Sequence, residues 1–182
     1  MEIRKFAFIK ACQQRPNRKQ MCMCRSAMDF KPLMVLIPQN ARNEEVLDII
    51  HKWVDVLAAE DYETVVKELG FLTGFYSSPA ECLRAQIKRY VSPEYFPGVT
   101  DFVVTDWRTA HGGNPKPKST LIWYKPNSVG LRGAVSFDLP INGKWSDLTA
   151  DFVFFEHNDE GYSLALEEIY SEKQRQREVE NL

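Results

Sequence analysis

The chain has 182 residues, 44% of them hydrophobic and 12% aromatic, enough to bury a core and to exclude wholesale disorder. With 23 basic and 25 acidic residues the net charge is −2, which argues against a general binder of nucleic acid or of membrane surfaces. That average hides a split. Residues 1–33 hold eight Lys and Arg against Glu2 and Asp29 and carry +6, while the remainder carries −8.

Three of the four cysteines, Cys12, Cys22 and Cys24, lie in this basic leader, and the fourth is Cys82. Cys22-Met23-Cys24 is too closely spaced for a zinc knuckle, so no metal site is expected and the cysteines read as reduced thiols of a cytoplasmic protein. The apolar run Phe6–Ile9 is shorter than a secretory signal, and no stretch is long and apolar enough to span a membrane. Residues 1–33 therefore read as a basic, disordered extension, residues 34–170 as one domain, and residues 171–182 as a charged tail.

Helix signals come first along the domain. Asn43 is a good N-cap, and Val46, Ile50, Trp53, Val54 and Leu57 share one helical face behind it. Asp61 caps a second, shorter helix that presents Tyr62, Val65, Val66 and Leu69, and Gly70 ends it. Phe71–Tyr76 is a short strand or a packed loop. Ser78-Pro79-Ala80-Glu81 starts a third helix, with Ser as cap, Pro at the first position and Glu closing a capping box. Ala80, Leu83, Ile87, Tyr90 and Val91 then fall together, and Pro93 and Pro97-Gly98 close the helical region.

From about residue 99 the period shortens to two. Strands are expected over Asp101–Thr109, Thr120–Tyr124, Arg132–Leu139, Leu148–Glu156 and Tyr162–Tyr170. The strongest turn signal is Asn142-Gly143. A run of helices followed by a run of strands means α+β, with N-terminal helices packed on a curved antiparallel sheet.

This order of elements resembles the NTF2-like superfamily, also called SnoaL-like or the cystatin-like α+β cone, over roughly residues 40–170. The stretch Phe137-Asp138-Leu139-Pro140-Ile141-Asn142-Gly143-Lys144-Trp145-Ser146-Asp147-Leu148-Thr149 is similar to a hairpin of bacterial domains of this shape that have no assigned activity. The resemblance implies a conical cavity between sheet and helices. Such a cavity serves small isomerases and dehydratases, ligand binding and protein partnering alike, and fold alone does not choose among them.

No P-loop, dinucleotide fingerprint, zincin helix or nucleophile elbow occurs, so no cofactor is expected. Asp106, Asp138, Asp147 and His157 are the candidate acid/base groups. Asp106 alternates with Trp107 on its strand, and the plain reading turns Trp107 inward and Asp106 outward. Asp138 and Asp147 flank the Asn142-Gly143 reversal and in the plain reading build the turn. His51, His111 and His157 sit on a helix edge, in a Gly-rich loop and in a turn, with no partner beside them in sequence.

Trp107, Trp145, Asp147 and Tyr90 are the candidate binding residues. The aromatic-rich sheet without a convincing catalytic group favours a binding protein that acts on a protein partner or as a homodimer, with both sides of Phe152–Phe155 apolar. The alternative is a cofactor-independent lyase, isomerase or hydrolase with a cone-shaped pocket and a small apolar ligand. It would use Asp106, Asp138 or Asp147 as base, and a cone filled by Trp and Phe side chains would count against it. A third reading, nucleic-acid binding by the leader, has no aromatic or fold signature behind it.

Overall fold

The computed structural model describes residues 35–69, 78–157, 161–171 and 173. The expectations for the leader, for Phe71–Tyr76, for the centre of the 157–161 turn and for most of the tail lie outside these residues. Every described residue belongs to one unit of the chain, Pro32–Leu182.

Helix α1 runs Asn43–Ala58, one residue earlier than its expected cap allows. Arg42 takes the cap position, and its backbone N–H donates to the Glu45 carboxylate at 2.7 Å. Asn43 is spent elsewhere, as the acceptor of the Trp123 indole N–H at 2.9 Å. Val46, Ile50, Trp53, Val54 and Leu57 form the buried stripe as their spacing predicts. Helix α2, Tyr62–Leu69, is capped by Asp61, which accepts the Thr64 N–H at 3.1 Å. Helix α3, Pro79–Lys88, is capped by Ser78, which accepts the Glu81 N–H.

Five strands follow one antiparallel plan. They are β1 (Val35–Ile37), β2 (Ser119–Trp123), β3 (Leu131–Ile141), β4 (Lys144–His157) and β5 (Gly161–Ser171), in the spatial order β1-β5-β4-β3-β2. The sheet curls into a half-barrel with the helices beside it, an α+β fold. Asn142 and Gly143 both take positive φ, 48° and 77°, as the two-residue reversal between β3 and β4 requires. Residue alternation then turns Val135, Phe137, Ala150, Phe152 and Phe154 to the helices. Phe152 meets Trp53 edge to face at 5.0 Å, and Tyr90, Phe96 and Phe102 form a second aromatic knot beside it. Each such ring contributes roughly 1.5–3 kcal/mol by leaving water.

Two segments depart from expectation. β1 is only three residues long before Pro38, too short for its alternation to show in the sequence. Asp101–Thr109 is not a strand. Phe102 and Val104 share one side as expected and both are buried, although the plain reading turns the Trp107 side inward, and the segment makes a single bridge, Val104 with Ile141. Residues 103–105 are held mainly by the hairpin tip. Val103 N–H donates to the Asn142 side chain at 3.0 Å, and Thr105 Oγ1 accepts the Gly143 N–H at 3.0 Å. Side chains at a tip replace a backbone ladder, and Asp106 then turns the chain by accepting the Arg108 N–H at 2.8 Å. No helix among the described residues is long and apolar enough to cross a membrane.

Candidate functional site

Three places collect the residues singled out above. The first is the end of the β3–β4 hairpin. Asp138 follows Phe137 on β3 and is 6% exposed. One of its oxygens accepts the Thr149 hydroxyl at 2.9 Å. The other accepts the Asn114 amide and the Lys118 backbone N–H, both at 3.0 Å. Burial pushes its carboxyl above the ordinary aspartate value, and the Lys118 and Thr149 bonds oppose that rise. The carboxylate thereby clamps the loop 111–118 onto the sheet, and Asp138 N–H donating to the Lys118 carbonyl closes the clamp from the other side.

Asp147 lies four residues beyond Gly143. It accepts the Tyr90 hydroxyl on one oxygen and the Ser171 hydroxyl, at 3.2 Å, on the other. Tyr90 is fully buried just past α3, so the contact ties the helical layer to the ends of β4 and β5. Burial, and then the Asp147 carboxylate as acceptor, hold the Tyr90 phenol far above its ordinary pKa. Such a phenol is a fixed donor and no base. Ser146 between them is also buried, donating to the Leu139 carbonyl at 2.7 Å.

The second place is the Trp107 corner. Trp107 is half-buried, its ring stacked flat on His51 at 3.9 Å and 12°. The Arg108 guanidinium stands 4.5 Å from the same ring. The Trp107 indole N–H donates to Asp55, and Arg108 grips Asp55 with two bonds of 2.7 and 2.8 Å and Asp106 with one of 3.1 Å. The Arg108 bonds hold the Asp55 carboxyl below its usual range. Burial lowers the His51 pKa, against the opposing pull of Asp48. Sequence separates these partners by more than fifty residues, so only the stripe position of His51 could have hinted at the corner.

Trp145 is half-buried, with its ring 6.3 Å from Phe137. His157, at the end of β4, joins neither place. Val153, on the sheet side away from Phe152, is 6% exposed.

The third place was missed in sequence. β2 is an edge strand on which Ile122 and Trp123 are 39% and 38% exposed, followed by Val129 at 65% in the turn to β3. Trp123 is nonetheless held. Its ring lies 5.1 Å from Phe154 and 5.7 Å from Tyr162, and its N–H is fixed by Asn43. Gly133 makes this possible, because a Cβ there would stand 2.7 Å from the Phe154 ring and 2.5 Å from the Ile122 carbonyl oxygen. An apolar run such as Leu121-Ile122-Trp123 reads as core in a sequence, and only the sheet order shows that it ends at an edge.

No family model matches the chain, and no curated protein or solved structure matches it either.

Proposed function

We propose that this chain is a binding protein of NTF2-like type that acts through contact with another protein. The observation that carries the reading is the exposed, rigidly seated Trp123 with Ile122 beside it on an edge strand. A fixed, part-exposed Trp costs little conformational entropy to bury and is the usual anchor of a protein interface. The candidate carboxylates point the same way. Asp138, Asp147 and Asp106 each already accept internal donors, and aromatic rings occupy the space between sheet and helices. The enzyme alternative has the raised Asp138 carboxyl on its side, but that group is engaged on both oxygens by three donors.

The test places a photocrosslinking residue at Ile122, and as control at the exposed Glu63 on α2, in cells that make the protein. One discrete crosslinked protein at position 122, absent at position 63, is the expected result. A smear at both positions, or nothing at 122, overturns the reading.

A further inference from the structure

We infer that β2 is a docking edge for an extended segment of another protein, one with an apolar centre of about five residues flanked by acidic side chains. This rests on the binding reading above and states how the partner is held.

The backbone carries the first half of the inference. Tyr124 N–H donates to the Arg132 carbonyl at 2.7 Å, and the Lys118 carbonyl accepts the Asp138 N–H at 3.0 Å. In an antiparallel pair the residues that bond the neighbour alternate along the strand. Lys118, Thr120, Ile122 and Tyr124 therefore face β3, in keeping with the register Thr120 to Ser136 and Ile122 to Ala134. The N–H and C=O groups of Ser119, Leu121 and Trp123 point the other way, and no strand among the described residues pairs with that side. An edge of this kind is a template for one more strand.

The ends of the strand carry the second half. Pro117 and Pro126 bracket the strand, and Pro117 can offer no N–H, which limits pairing to about five residues. Exposed Lys116 and Lys118 stand before it and exposed Lys125 after it, with no acid between residues 107 and 137. A docked strand with Asp or Glu beyond its apolar centre meets these lysines at both ends. A second copy of this chain does not fit. Aligning the outward groups of two β2 strands puts Ser119 opposite Trp123, and Lys125 of each copy opposite Pro117 of the other, between Lys116 and Lys118. Like charges then crowd both ends. Side-chain recognition follows from the alternation: Trp123 and Leu121 lie on the helix side of the sheet and Ile122 on the other, so the partner would place apolar side chains on both.

The experiment displays a random seven-residue peptide library and selects on the whole chain. Four forms are compared: the native protein, Ser119→Pro, Leu121→Pro, and the triple variant Lys116→Glu, Lys118→Glu, Lys125→Glu. Proline at 119 or 121 removes an outward N–H and no bond to β3, though at 121 it also replaces a side chain packed on the core, so thermal melting checks that each variant folds. The expected result is enrichment of segments with alternating apolar residues and acidic flanks. Recovery should fall at least tenfold on a folded proline variant, and the triple variant should select basic flanks instead. The tightest peptide should slow amide exchange at Ser119, Leu121 and Trp123. Enrichment indifferent to the proline variants, helical apolar spacing, flanks without acids, or no enrichment overturns strand addition. So does a concentration-dependent dimer that protects the same amides, because the occupant would then be a second copy. Crosslinking at Ile122 without amide protection would leave the binding reading standing and remove this one.

Discussion

The hairpin end and the β2 edge use the same kinds of groups to opposite effect. At the hairpin end, Asp138 and Asp147 are polar side chains drawn in and fully engaged, each bonded on both oxygens. At β2, apolar side chains are left out and backbone groups face outward. The residues that look chemical in the sequence hold the fold together, and those that look like core are the ones left part-exposed at a sheet edge. The two regions are best separated by substitutions that should damage one and spare the other.

The largest effect on stability is expected from Asp138→Ala. It removes the acceptor of Thr149, Asn114 and the Lys118 N–H at a buried position, and should cost about 3 kcal/mol in urea unfolding. Asp138→Asn should cost nearly as much, because an amide brings a donor to a place that already holds three. A loss under about 1 kcal/mol would mean that the clamp on the loop contributes little. Gly133→Ala comes next, at about 2 kcal/mol, since the added methyl meets both the Phe154 ring and the Ile122 carbonyl. It reaches from the core to the edge, so near-UV circular dichroism should also show Trp123 displaced. Tyr90→Phe should cost about 1–2 kcal/mol by taking the donor from Asp147 while keeping the ring against Phe102.

A smaller effect is expected at the Trp107 corner, through pH. Burial lowers the His51 pKa in the folded chain, so between that value and the ordinary 6.5 the unfolded chain binds more protons. Stability therefore falls as the pH drops below about 6.5. Asp48 and Asp55 ease the protonation and Arg108 opposes it. His51→Phe keeps a ring on Trp107 without the titration, and its melting temperature should fall less than that of the native chain between pH 7.5 and 5.5. An unchanged fall would place the acid sensitivity in the carboxylates instead.

Much of this framework is legible in the residues. The stripe of α1, the caps at Asp61 and Ser78, and the Asn142-Gly143 reversal each rest on contacts within a few positions, and local physics decides them. The clamp on Asp138 is not legible, because Asn114 and Lys118 reach it from a loop that sequence shows only as Gly- and Pro-rich. Asp101–Thr109 reads as a strand because its alternation is real, but a strand also needs a neighbour, and the hairpin tip supplies side chains in place of a ladder. The β2 edge fails to show for the same reason reversed. Burial of Leu121-Ile122-Trp123 depends on which strand comes last, and spacing carries no record of sheet order.

The least effect on the fold is expected from Ile122→Glu, and it divides the two regions most cleanly. Ile122 projects from the edge strand on the side away from Phe154, and its backbone groups serve β3 whatever its side chain. Exposed positions of this kind usually change stability by less than about 0.5 kcal/mol. At the same time a carboxylate there would put a like charge into an acid-flanked partner strand and remove apolar area from the contact. Thermal melting should leave the variant within about 3 °C of the native chain, while recovery of selected peptides should fall at least tenfold. A variant that binds as before would move the interface away from β2. A variant that unfolds would show Ile122 to be part of the packing, as Asp138 is at the other end of the hairpin, and the contrast between the two regions would be lost.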